Sequence, residues 1–137
     1  IVLDALLARE PWDAEASVLF DAVERGLVVG LLGATTLTTI FYLARRHLGS
    51  KEATSLVADL LSLFEVAPVT RACLDGALRR GWADFEDAVL HEAGCLAGAD
   101  AVVTRDDKGF ARASLMVYLP QELVAEISTL ATGTESE

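Results

Sequence analysis

The chain has 137 residues, 53% apolar and 23% charged, which suits one folded domain and is the wrong balance for a disordered chain. Lys and Arg number 11 against 21 Asp and Glu, a formal net charge of -10. That balance excludes a broad basic surface for duplex DNA and leaves room for local basic spots or an acidic cluster that needs a cation.

Residues 1–8 are apolar apart from Asp4, and Pro11 then interrupts the chain. Ala16, Leu19, Phe20 and Val23 recur at helical spacing, which predicts a helix over 12–25 closed by Gly26. The glycine-bounded apolar run 27–32 reads as a buried strand. A helix over 35–48 places Leu37, Ile40, Phe41 and Ala44 on one face. Gly49 ends it, and Ser50 reads as the N-cap of a helix over 51–63. The segment 64–69, with Pro68, reads as a second strand. Thr70 caps a helix through Arg80, closed by Gly81, and Asp84 starts another through Leu96, closed by Gly98. The run DAVVT at 100–104 reads as a buried strand and 116–119 as a further one. Pro120 suits the first position of a last helix through Leu130. Residues 1–131 therefore read as one domain and 132–137 (TGTESE) as a flexible tail.

The uncharged run 26–44 is 19 residues long, enough to raise the question of a membrane span. Its three glycines and four threonines favour a strand, a turn and a helix instead. The start shows no signal-peptide pattern, and Cys73 and Cys95 match no zinc spacing. Two buried thiols in a cytoplasmic protein are the expectation.

Strands alternating with helices imply an α/β fold on a parallel sheet with right-handed crossovers. Ligands in such folds gather beyond the carboxyl ends of the strands. Two acidic groups fall at suitable places. Asp84, Glu86 and Asp87 open a helix in WADFEDAVLHEAG, and Asp106 and Asp107 follow the strand DAVVT. Asp84 and Asp87, three apart, share one face at the helix start. Crowded carboxylates repel, and a hard divalent cation such as Mg²⁺ or Mn²⁺ relieves that repulsion. A cation so held suits phosphodiester hydrolysis. Ordinary structure accounts for the same residues: Asp84 as an N-cap, Asp87 at the positive helix end, Asp106 and Asp107 in a turn. Glu86 is expected to face solvent, and His91, four residues after Asp87, to pair with it. Trp82 reads as packing beside the acidic group, and Arg45, Arg46 and His47 suit a helix C-terminus. Arg105 and Lys108 flank the acidic turn and are the candidates for steering an anionic substrate.

Taken in order, VLDALLAREPW, ATTLTTIFYLARR, DFEDAV, DAVVTRDDKGF and VYLPQEL resemble the PIN-domain family, over residues 1 to about 126. The resemblance is to bacterial toxin members that pair with an antitoxin (VapC-like). It implies a three-layer α/β sandwich with a parallel sheet of order 3-2-1-4-5, and Mg²⁺- or Mn²⁺-dependent cleavage of single-stranded RNA. It places Asp87 at the family's third acidic position, Asp84 just before it, Asp106 at the fourth and Phe110 at the following aromatic. It sets Thr39 where the second acid usually stands, and a first strand ending in the first acid upstream of Ile1, with Asp4 structural. The implied metal ligands and catalytic residues are Asp87, Asp106 and Asp84, with Arg105 and Lys108 binding substrate. An antitoxin partner, a homodimer and a cytoplasmic location are the further expectations, and a PIN fold without catalysis is the alternative.

Overall fold

The elements start and stop where the chain offers caps. The computed structural model describes residues 13–135. Helix α1 (Asp13–Glu24) ends in a tight reversal at Gly26, whose φ is +75°. The Gly26 and Leu27 amides donate back to the Val23 and Ala22 carbonyls. This reversal uses the residues expected to begin a strand. Strand β1 therefore runs Leu31–Gly33 rather than from 27, and Val29 is 74% exposed.

Helix α2 (Ala34–Leu48) and helix α3 (Ser50–Leu63) are separated by Gly49 alone, at φ +91°. Ser50 is thus the first helical residue and not the cap. Gly49 takes that place because only glycine adopts this φ cheaply, and its carbonyl accepts the Ala53 amide. Strand β2 (Glu65–Ala67) leads to helix α4 (Arg71–Arg80). Here the Thr70 hydroxyl accepts the Cys73 amide at 3.3 Å, and Gly81 closes the helix at φ +66°. Thr70→Ala is expected to cost about 1 kcal/mol, seen as a lower urea midpoint at unchanged slope. Helix α5 (Phe85–Leu96), strands β3 (Ala101–Val103) and β4 (Met116–Tyr118), and helix α6 (Pro120–Glu135) complete the order. The backbone of α6 continues past Leu130 into the segment expected as a tail. The strands at 64–69, 100–104 and 116–119 are shorter than expected, three residues each, and β3 is only partly buried.

Among the described residues the strands form two separate parallel pairs. Leu32 opposes Val66 in the β1–β2 pair, and Val102 opposes Val117 in the β3–β4 pair. The two pairs do not by themselves give the expected order 3-2-1-4-5; the strand expected upstream and Asp4 lie outside the described residues. Helix α5 packs on β1, β2 and β3, so it touches both pairs. Among the described residues three apolar clusters hold the helices: Leu32, Ile40 and Leu60 join α2 and α3 beneath β1; Cys73, Ala77, Ala88, Val89 and Ala93 join α4 and α5; Leu19, Ala22 and Ile127 join α1 and α6. Small side chains dominate the second cluster and let α4 and α5 approach closely. No described helix is long and apolar enough to cross a membrane. Cys73 and Cys95 are both free thiols, Cys73 buried and Cys95 half-buried.

Candidate metal centre

Asp84 is the N-cap of α5, its Oδ1 accepting the Asp87 amide at 3.0 Å. This capping bond fixes the first helical turn and with it the half-buried Asp87. Asp106 lies just past the carboxyl end of β3. Its amide donates to Thr104 Oγ1 at 3.0 Å, and its Oδ1 accepts the Gly109 amide at 3.1 Å. The turn thus closed brings Gly109 between the two acids. A Cβ on Gly109 would meet Asp106 Oδ2 at 2.7 Å and Asp87 Oδ2 at 3.3 Å. One carboxylate oxygen from α5 and one from the β3–β4 loop therefore converge beside a glycine with no side chain to separate them.

The electrostatics agree with the geometry. Burial pushes the Asp87 carboxyl above its ordinary range, and the charges of Asp84, Asp106 and Glu86 push it further. Three carboxylate charges thus bear on Asp87, and a cation would relieve the repulsion. Among the described residues no three His, Cys, Asp or Glu side chains come together closely enough to enclose an ion. A site built on Asp87 and Asp106 still suits Mg²⁺ or Mn²⁺, which bind through one or two carboxylates and complete their shell with water and phosphate oxygens. Asp84 has one oxygen committed to the helix cap and acts on Asp87 through its charge.

The remaining sequence-derived candidates are dispersed around this pair. Arg105, Asp107 and Lys108 are exposed on the turn that carries Asp106. Thr39, on α2, donates to the Thr35 carbonyl at 3.2 Å and stands 3.5 Å from Glu86 Oε1. Glu86 is exposed, as expected, yet it reaches across to α2, a contact that its place in the helix did not disclose. Arg46 lies over the Tyr42 ring at 5.9 Å.

His91 is a correction. It does not pair with Asp87; it is fully buried, and its Nε2 accepts the Ser114 and Leu115 amides at 3.1 and 3.2 Å. The reason is helical geometry: burial of the α5 face that packs on α4 carries His91 inward, under Trp82, whose ring centre is 5.0 Å away. Phe110, 3% exposed, meets Trp82 edge-on at 5.5 Å. Trp82 packs, as its type suggested. The importance of Gly109 has no signal in the sequence beyond a glycine following a charged turn.

Gly109 offers a direct probe. Its φ lies outside the left-handed region, so alanine strains no backbone there and restricts the unfolded chain. The added Cβ must displace the Asp106 carboxylate. Gly109→Ala is expected to change the melting temperature little, the restricted unfolded chain offsetting the lost Asp106–Gly109 bond, while weakening any cation-dependent activity about ten- to a hundredfold. Thermal melts and activity assays on one preparation check both halves.

Comparison with known families adds one match. A family model described as a PIN domain matches residues 1–108. No curated protein matches the chain.

Proposed function

The chain belongs to the PIN-domain family, a nuclease-type α/β fold, and from that premise we propose that it is a metal-dependent ribonuclease acting on single-stranded RNA. The observation that carries this reading is the convergence of Asp87 and Asp106 oxygens beside Gly109. Asp87 and Asp106 hold the divalent cation, Mg²⁺ or Mn²⁺, and Asp84 supports Asp87 by capping the helix that presents it. When bound, the cation supplies charge stabilisation on the phosphate and eases deprotonation of the attacking water. Arg105 and Lys108, on the same turn as Asp106, draw the RNA backbone towards a site whose own charge would repel it. Phe110 and Trp82 keep that turn seated on α5.

The toxin role belongs to the same reading. A cytoplasmic toxin needs an antitoxin to cover its site, and family resemblance adds self-association as a homodimer. Leu74, Leu78 and Phe85 are exposed large apolar side chains on α4 and α5, which supports a protein partner.

One observation favours a second reading, a PIN fold that binds without cleaving. Thr39 stands where an acid is expected, and the described residues offer two converging carboxylates rather than three. Cleavage of single-stranded RNA in Mn²⁺ separates the two. The intact protein should cut, and Asp106→Asn should cut at least about a hundredfold more slowly, since even residues that only support a metal ligand cost ten- to a hundredfold. Equal activity in the two proteins rejects the catalytic assignment.

A further inference from the structure

The buried imidazole of His91 has no part in the chemistry above, yet it ties together the two segments that carry the acids. Its Nε2 faces two backbone amides of the β3–β4 loop, Ser114 at 3.1 Å and Leu115 at 3.2 Å, with Ser114 Oγ at 3.5 Å. Backbone amides can only donate, so Nε2 must accept. The proton then sits on Nδ1, which lies 3.7 Å from Cys95 Sγ. The same loop is also held by Ser114 Oγ, 3.7 Å from Cys95 Sγ, by Phe110 against Trp82, and by Arg112 Nη1 donating to the Gly81 carbonyl at 3.4 Å. Of these ties, only the imidazole can change its hydrogen-bonding sense with one proton.

We propose that His91 is a positioning residue: by accepting the Ser114 and Leu115 amides it holds the β3–β4 loop on α5 and so keeps the Asp106 carboxylate beside that of Asp87. The loop leaves β3 at Thr104, presents Asp106, and is pinned again at 114–115. Releasing the second pin leaves the turn held by the Phe110 and Arg112 contacts and loosens the placement of Asp106. Protonation of His91 would set an N–H against two N–H donors and open the clasp. The charged and titratable groups facing the ring are Arg80 at the end of α4, and Glu92 and Cys95 on α5; the loop contributes the Ser114 hydroxyl. Arg80 and Glu92 pair with each other at 2.6 Å. Burial and then Arg80 lower the His91 pKa, and Glu92 opposes them. The neutral, accepting form is therefore favoured in the folded state. The sign follows: a group that binds its proton more weakly folded than open loses protection as pH falls below its open-state value of 6.5.

The role in positioning rests on the proposed metal centre, but the clasp is measured without it. Amide hydrogen exchange is followed in the metal-free intact protein from pH 5 to 8, corrected for intrinsic rates, alongside His91→Gln and His91→Leu. Glutamine offers an accepting oxygen near the Nε2 position and does not titrate, whereas leucine leaves both amides unpaired. In wild type, protection at 114–115 should fall below about pH 6.5, by up to about tenfold per pH unit. Gln should keep the protection and lose the pH step. Leu should lose at least about tenfold throughout the pH range, with α3 protected as in wild type. Mn²⁺ titration at pH 7.5 should show about tenfold weaker binding for Leu and recovery for Gln. A wild type without the step, a Gln protein that retains it, or a Leu protein with wild-type loop protection and Mn²⁺ affinity overturns the proposal. If Leu does not fold, the wild-type and Gln profiles still decide. Absence of Mn²⁺ binding in wild type counts against the metal centre alone, because the exchange profiles report the clasp separately.

Discussion

Asp87→Asn is expected to abolish Mn²⁺-dependent RNA cleavage and, at the same time, to raise the melting temperature of the metal-free protein at pH 7. Burial and the charges of Asp84, Asp106 and Glu86 hold the Asp87 carboxyl above its ordinary value of 3.8. An acid with a higher pKa folded than unfolded opposes folding as pH rises past its unfolded value, and fully above the raised one, because the unfolded chain ionises it more easily. Every pH above the ordinary value of 3.8 therefore carries part or all of this penalty for Asp87. Asparagine removes the charge at nearly constant volume, and the backbone N–H of residue 87 still donates to Asp84 Oδ1, so the helix start is kept. The difference in melting temperature should narrow as pH falls through the Asp87 pKa, where wild type becomes neutral too. Saturating Mn²⁺ should reverse the order, since a cation that binds only the folded wild type stabilises it by mass action. Cleavage should drop at least about a hundredfold. Melts with and without Mn²⁺ at pH 7 and pH 4.5 test each part. A variant that melts below wild type without metal contradicts the crowding.

Phe110→Ala should lose activity for the opposite reason, with a large loss of stability. The ring is 3% exposed and meets Trp82 edge-on at 5.5 Å, while Trp82 covers His91. Truncation of a buried Phe removes its transfer free energy and leaves a cavity, about 3–5 kcal/mol together. That is a large share of the 5–15 kcal/mol typical of a whole domain. Phe110 directly follows Gly109, so the cavity also unseats the turn that holds Asp106. The expected result is a urea midpoint far below wild type and weakened Mn²⁺ binding in the fraction that stays folded. The two substitutions therefore separate loss of a charge from loss of a support.

Local chemistry was the part most legible in the sequence. Thr70, Gly81 and Asp84 act within four residues of themselves, so their types alone locate the helix ends they make. Asp87 and Asp106 were legible as separate features, one near a helix start and one past a strand. Their approach was open as an expectation from the strand-end rule and from the family resemblance, while the close packing at Gly109 had no signal in residue types. The strand at 27–32 misled because an apolar run between glycines fits a strand and a helix reversal equally well, and the Leu27 amide was already engaged by Ala22. Ser50 misled because Gly49 occupies the capping place with a φ that serine avoids. His91 was beyond reach: its partners are backbone amides 23 and 24 residues away, and no residue type encodes an amide.

The central claim is that Asp87 and Asp106 form one divalent-cation site, and calorimetric titration of Mn²⁺ into the intact protein and Asp106→Asn tests it most directly. Saturable binding in the intact protein, at least about tenfold weaker in the variant, is the predicted result. No binding at millimolar Mn²⁺, or equal binding in the two proteins, would contradict it and transfer the assignment to a PIN fold that binds without cleaving.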